Sequence, residues 1–422
     1  MKIGYLLQAG VPNIFSYPLS GAANHVKLVF DELTGLGHDV CLIVNWDGRI
    51  WKSEDFQNFE PVRESLIDKV PLTYFESFVR RIQSELQLPY IALFDSLRFA
   101  KACRQELHDF DLLYERMGWM GYGGALASRW LKKPLVLEVN GDHLTEMELQ
   151  GNAPEGVQRH FSEKVTKFAA RQAAYSIATG EGWRRKYIQR WDIAPEKVSV
   201  IENGSELVEL LDRDRLQSFS DNEHTSSVQI AYVGGFDPWQ GVPILINAVS
   251  QAVSQGLDIH LLLIGGGKQE GEIKAMISRL RLEDRVTFTG HVSLEQMAAY
   301  LENVDIGVSP YCGRDEYSGL KLLDYKAAGL AIIASGLDGE PEVIAHGRSG
   351  WIVPPCDDTA LFEAINLLVS NDELRRQLGQ TARIEAESEH SWQHTAVQIE
   401  NACLRIVNET SNEWLLPAEP EY

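Results

Sequence analysis

The chain has 422 residues, 44% of them hydrophobic and 23% charged, the composition of a soluble globular protein long enough for two domains. A formal net charge of -21 argues against nucleic acid and against non-specific adhesion to anionic membranes. No apolar run of about 18 residues occurs, so no membrane-spanning helix is expected.

Met1-Lys2-Ile3-Gly4-Tyr5-Leu6-Leu7 is too short in its apolar part for a signal peptide and reads as a first strand. The unit that then recurs is a short apolar strand, a Gly-containing loop and an amphipathic helix. Strands are expected at Ile3–Leu7, Asp39–Val44, Leu112–Tyr114, Leu135–Val139, Tyr175–Ala178 and Val198–Ile201. Residues 72–104 carry Tyr74, Phe75, Phe78, Phe94 and Phe99 among Arg80, Arg81, Arg98, Lys101 and Arg104. This amphipathic pair either packs on the sheet, the preferred reading, or makes a weak peripheral membrane contact. Residues 206–227 are polar and form the linker candidate.

The pattern restarts with strands at Val228–Val233, Ile259–Ile264, Val286–Thr289, Ile306–Ser309 and Ala331–Ala334. Strand–helix alternation in both halves implies an α/β protein of two doubly wound parallel-sheet domains, residues 1–205 and 228–385. A last helix fills 386–410, and 411–422 is a frayed tail. The five cysteines, Cys41, Cys103, Cys312, Cys356 and Cys403, form no C-x-x-C pair and read as reduced thiols of a cytoplasmic protein.

Chemistry concentrates in Glu316-Tyr317-Ser318-Gly319-Leu320-Lys321-Leu322-Leu323-Asp324. A strand, a small-residue turn and a helix start make an anion site, because the first N–H groups of a helix lack partners and its dipole favours negative charge. Carboxylates at the loop entrance and two turns into the helix can accept from sugar and ribose hydroxyls. Acid-x7-acid here resembles the E-x7-E signature of the retaining glycosyltransferases of the GT-B fold, the group 1 or family-4 set, with Asp324 standing for the second Glu.

The resemblance implies two Rossmann-like domains facing a cleft, the first binding the acceptor and the second a nucleoside diphosphate sugar, with the last helix crossing back to the first. It extends to four loops. Ser20-Gly21-Ala22-Ala23-Asn24-His25 resembles the Gly-rich loop near donor phosphate and acceptor, with Gly21 kept. Gly234-Gly235-Phe236-Asp237-Pro238-Trp239-Gln240-Gly241 lacks the Arg and Lys that many relatives place at Gly235 and Gln240. Lys321 is then the remaining cation for the diphosphate, with Arg314 second. Gly265-Gly266-Gly267-Lys268 permits a tight turn near the nucleotide, and Phe288-Thr289-Gly290-His291-Val292 resembles the segment bordering the base.

In the first half, Tyr114-Glu115-Arg116 and Leu137-Glu138-Val139-Asn140 resemble Y-E-R and L-E-V-N segments. Asn140 falls where many relatives carry a histidine, and His143 is its expected substitute. The implied roles are Glu316, Lys321, Asn140 and His143 in catalysis. Gly21, Gly234, Gly235, Gln240, Gly265, Val292, Ser318, Gly319, Leu320 and Asp324 would bind the donor. No metal and no cofactor beyond the donor substrate is expected, since no D-x-D stands at a strand end. The acceptor class, whether saccharide, lipid-linked or small molecule, stays open. A sugar-nucleotide epimerase and a non-catalytic sugar-nucleotide-binding partner are the alternatives.

Overall fold

The computed structural model describes every residue except 17–18, 64–70, 86–92, 150–152, 212–226, 314–318, 338–340 and 414–422. The chain divides into two compact units: Met1–Glu202 with Ala396–Tyr422, and Asn203–Thr395.

Unit 1 is built on eight strands: β1 (Lys2–Leu7), β2 (Asp39–Trp46), β3 (Arg49–Ser53), β4 (Glu60–Pro61), β5 (Leu112–Arg116), β6 (Leu135–Val139), β7 (Tyr175–Ala178) and β8 (Val198–Val200). Their order is β4-β3-β2-β1-β5-β6-β7-β8. From β2 to β8 every pairing is parallel, while β3 and β4 add an antiparallel edge. That edge departs from the all-parallel expectation. It follows a hairpin at Asp47-Gly48, both at positive φ (50° and 71°), the geometry a tight turn between right-twisted strands requires. The strand order reverses at β1, which pairs β2 on one side and β5 on the other, and such a switch point opens space beyond the carboxyl ends.

The aromatic–basic segment becomes two helices, Pro71–Glu85 and Leu93–Glu106. Phe94 and Phe99 are buried, and Arg98 bonds Glu76 at 2.6 Å. Phe75 and Phe78 stay exposed.

Unit 2 holds β9 (Val228–Val233), β10 (Ile259–Ile264), β11 (Val286–Gly290), β12 (Ile306–Ser309), β13 (Ala331–Ser335) and β14 (Trp351–Val353). All are parallel, in the order β11-β10-β9-β12-β13-β14, with the switch at β9 and β12. Alternation along β9 splits the core. Ile230 and Tyr232 pack beneath the helices Val242–Ser254 and Asp358–Ser370, while Ala231 faces Leu322, Tyr325 and Ala382. Residues 207–210, inside the expected linker, instead form a helix, with Leu207 and Leu211 buried in the unit 2 core. Two leucines with apolar partners in reach outweigh the polar surroundings of the segment. The rest of that linker, 212–226, lies outside the described residues.

One reading fails on the cysteines. Cys312 and Cys356 are joined by a disulfide, Cα to Cα 4.8 Å, and only Cys41, Cys103 and Cys403 are free, all buried. The two partners lie 44 residues apart in sequence. Parallel topology brings the loops after β12 and β14 together, a proximity no local cysteine spacing signals. Among the described residues no helix is long and apolar enough to cross a membrane.

Candidate functional site

In unit 2 the loops after β9, β10 and β12 meet at the carboxyl ends of the strands. Gly234 and Gly265 hold φ of 140° and 123°. A Cβ on Gly265 would sit 2.1 Å from the Gly234 carbonyl, and one on Gly267 would sit 2.6 Å from the Phe236 nitrogen. The glycines after β10 therefore serve first to let two loop backbones touch. Val292, just past β11, is partly buried against the core that holds Leu322.

The helix Leu320–Ala327 begins at Gly319, whose carbonyl already accepts from Leu322 and Leu323. Tyr325 pins this helix to the sheet. Its hydroxyl accepts from the Val233 N–H at 2.8 Å and donates to the Val308 carbonyl at 3.2 Å. Gly307 makes room for the ring, since a Cβ there would lie 2.6 Å from it.

Lys321 thereby points at the loop after β9. Its Nζ donates to Gln240 Oε1 at 2.5 Å, lies 3.4 Å from the Tyr232 hydroxyl, and stands 4.6 Å from the centre of the Tyr232 ring. A Cβ on Gly234 would be 3.3 Å from that Nζ. The Tyr232 hydroxyl donates to the Gly235 carbonyl at 2.6 Å. The cation that the loop lacks at Gln240 thus arrives from the neighbouring helix, and its partners among the described residues, Gln240 and Tyr232, are neutral. Desolvation lowers its pKa to about 7.

Asp324, one turn further, accepts at Oδ1 from the Ser205 hydroxyl at 2.6 Å. Burial raises its pKa to about 6, against the hydrogen bond from Ser205. Ser205 and Tyr325 were missed from sequence. Ser205 stands well over a hundred positions away, and a tyrosine in a helix reads as core. Glu316, Ser318 and Arg314 lie outside the described residues.

In unit 1 the carboxyl ends of β5 and β6 carry a buried polar cluster. Glu138 is bonded by His25 Nε2, and the Tyr5 hydroxyl reaches it at 3.5 Å. Burial alone would raise its pKa, but His25, with Arg116 and Asn140 beside it, draws the carboxylate down to about 2. Asn140 is thus placed with His25, which arrives from the helix Gly21–Gly35, while His143 is bonded to the Met117 carbonyl at 3.0 Å. The G-A-A-N-H spacing after β1 was the available signal for His25. A Cβ on Gly21 would meet nothing within 4 Å, so the fold itself does not demand glycine there. Glu115 faces the other side of the sheet, where burial lifts it to about 8. A Cβ on Gly124 would lie 2.1 Å from its carboxyl oxygen.

Beyond the same strand ends lies a pocket walled by Trp119, Trp183 and His143, where Asp142 pairs with Arg190 at 2.9 Å. Among the described residues no group of three His, Cys, Asp or Glu side chains could hold a metal ion.

Comparison with known proteins fits this architecture. The pattern of the family "Glycosyltransferase Family 4" matches residues 19–208, and that of "Glycosyl transferases group 1" matches 214–385. The chain belongs to the group 1 glycosyltransferases of the GT-B fold. It is 25% identical over 409 residues to a phosphatidyl-myo-inositol mannosyltransferase of Mycolicibacterium smegmatis, covering 94% of this chain and 92% of that one. It is 29% identical over 311 residues to a D-inositol 3-phosphate glycosyltransferase of Corynebacterium glutamicum, covering 70% and 72%. Among solved structures, Anabaena HepE in complex with UDP superposes with a TM-score of 0.68 at 20% identity, over 96% of this chain and 100% of that one. In this glycosyltransferase the two polar clusters stand at the sheet ends where doubly wound folds bind ligands.

Proposed function

We propose that this glycosyltransferase moves a hexosyl group from a nucleoside diphosphate sugar to an acceptor hydroxyl, with retention of configuration and without a metal ion. The carrying observation is Lys321, a partly buried cation beside Gly234 whose partners among the described residues, Gln240 and Tyr232, are neutral. A desolvated ammonium with neutral neighbours is poised for an anion, and a diphosphate is the anion this family handles. HepE, which shares the fold, has been solved with UDP and with UDP-glucose.

In this reading the glycosyl C–O bond to the diphosphate breaks while the acceptor oxygen bonds the same carbon on the same face. The acceptor's proton passes to the departing phosphate oxygen. Lys321 and the N–H groups of Gly319 and Leu320 stabilise the charge that develops on that phosphate. Glu316 holds the donor sugar and Asp324 the ribose. Unit 1 supplies the acceptor side through Asn140 and His143, and the acceptor is a saccharide, a lipid-linked or a small-molecule alcohol. Phe75 and Phe78 would carry a weak peripheral membrane contact, at the inner face in a cytoplasmic setting.

The test is calorimetric titration of the full chain with UDP, GDP and ADP in excess chelator, then with the matching sugars. Binding that disappears with metal removal refutes the metal-free reading. Product of inverted configuration refutes retention.

A further inference from the structure

The disulfide of unit 2 sits among the loops that build the Lys321 site. Cys312 is three residues past β12, on the stretch leading to Glu316. Its N–H donates to the Trp239 carbonyl at 2.8 Å, one residue before Gln240. Gly241, at φ 71°, packs against the same stretch: a Cβ there would lie 1.7 Å from the Pro310 carbonyl and 3.5 Å from the Cys312 Cβ. Cys356 stands between β14 and Asp357, which caps the helix Asp358–Ser370. One covalent bond therefore ties the loops after β12 and β14 together, and the Cys312 N–H and the close Gly241 packing hold the loop after β9, with Gln240, against them.

Access differs between the two ends of the bond. Cys356 is exposed and Cys312 half-buried, so an external thiolate meets Cys356 first. The other three cysteines are buried, and burial pushes Cys41 and Cys403 up to about 12. They are thiols rather than thiolates and do not compete for exchange.

We propose that Cys312–Cys356 is a redox modification site of unit 2: thiol–disulfide exchange opens and closes the bond, and its state sets the order of the loops that hold Gln240 against Lys321 and so the affinity for the nucleotide. A reductant thiolate attacks the Cys356 sulfur and Cys312 leaves as the thiolate. A second thiol then resolves the mixed disulfide. Two reductant thiols become one disulfide, and two protons end on the two cysteines. Oxidised glutathione drives the reverse. The affinity part of the inference rests on the donor-site reading above; the loop-order part does not.

The full chain is equilibrated in dithiothreitol or in oxidised glutathione, and the bond state is fixed by alkylation and mass spectrometry. Two readouts follow, amide exchange over residues 236–241 and 310–313, and UDP titration. Reduction should raise exchange in both segments and weaken UDP about tenfold, because a freed loop must be reordered around the ligand. Cys356→Ser should match the reduced protein and ignore the redox state; Cys312→Ser is the second variant should the first fail to fold. Unchanged exchange in chains shown to differ in bond state overturns the proposal, as does an oxidised chain with no Cys312–Cys356 bond. UDP that binds neither state refutes the donor-site reading, while amide exchange still decides this one.

Discussion

Both units place a charged side chain at the carboxyl end of a parallel sheet, and they balance it differently. In unit 1 the Glu138 carboxylate is ringed by donors from three elements, His25, Tyr5, and Arg116 with Asn140 beside them. Its charge is matched inside the unit, and its pKa falls to about 2. In unit 2 the Lys321 ammonium has an amide oxygen, a hydroxyl and a ring. Among the described residues no carboxylate matches its charge, and burial lowers its pKa to about 7. A charge matched internally holds structure and orientation. A charge left unmatched is completed by what binds.

The comparison is broken most forcefully at Glu138. Glu138→Gln keeps the shape but leaves His25 and Arg116 without their carboxylate. It should cost about 3 kcal/mol of stability, the scale for removing one partner of a buried ion pair, read as a lowered urea midpoint. UDP affinity should hold. A variant as stable as the parent would mean the cluster is not the hub of unit 1.

Lys321→Ala should do the reverse. Removing a poorly compensated buried charge should leave stability within about 1 kcal/mol. UDP binding should weaken by about 1.5–3 kcal/mol, the loss of a charge-assisted hydrogen bond. Calorimetry and a denaturation curve on the same preparation separate the two effects. Unchanged UDP affinity would place the diphosphate elsewhere.

Titration sharpens the contrast. The folded-state pKa of Lys321 is depressed below the unfolded value, so between about pH 7 and 10.5 the unfolded chain binds the extra proton. Stability from this group therefore rises with pH through that window, and its penalty is fully present below 7. Ligand binding runs the other way, because a diphosphate favours the ammonium. UDP should bind with proton uptake above pH 7, seen as buffer-dependent heats, and Lys321→Ala should abolish the uptake. Equal uptake in both proteins would assign the proton to another group.

The two acids of the signature give a smaller, divergent pair. Glu316→Gln should lower kcat while leaving UDP affinity unchanged. Asp324→Asn should weaken UDP itself by about 1 kcal/mol, the scale of a neutral-for-charged hydrogen bond, because the ribose is present with or without the sugar. Ser205, which bonds Asp324, should follow in the same direction as Ser205→Ala. Equal loss of UDP affinity at Glu316 and Asp324 would give both one structural role.

The buried strands were legible because parallel strands covered on both faces read as continuous apolar runs. β1 and β13 show this over nearly every residue. The edge strands β3 and β4 were not, since Arg49–Ser53 is neither apolar nor alternating, although Asp47-Gly48 held the hairpin signal. At the site, local sequence could show Lys321 beside a helix start, but not that Gln240 and Tyr232 flank it. Those contacts span 81 and 89 residues and exist only through the β9–β12 switch. His25 on Glu138 and Cys312 on Cys356 escaped for the same reason: each is a pairing made by topology.

The finest test moves the cation without removing it. Gln240 stands where the family resemblance puts a lysine, and its amide oxygen is 2.5 Å from the Lys321 ammonium. Gln240→Lys alone deletes that acceptor and sets two ammonium groups side by side, so one of them should deprotonate near neutral pH. Its UDP affinity should stay within about threefold of the parent, a shift under about 1 kcal/mol, because one ammonium still faces the diphosphate. In the Lys321→Ala background the same change restores a single cation to the same space, with Tyr232 still beside it. The double variant should recover most of the affinity that Lys321→Ala loses, and the coupling between the two changes should exceed about 1 kcal/mol. Additive losses would show that Lys321 does something a lysine at 240 cannot reach, and that the cation was never relocated.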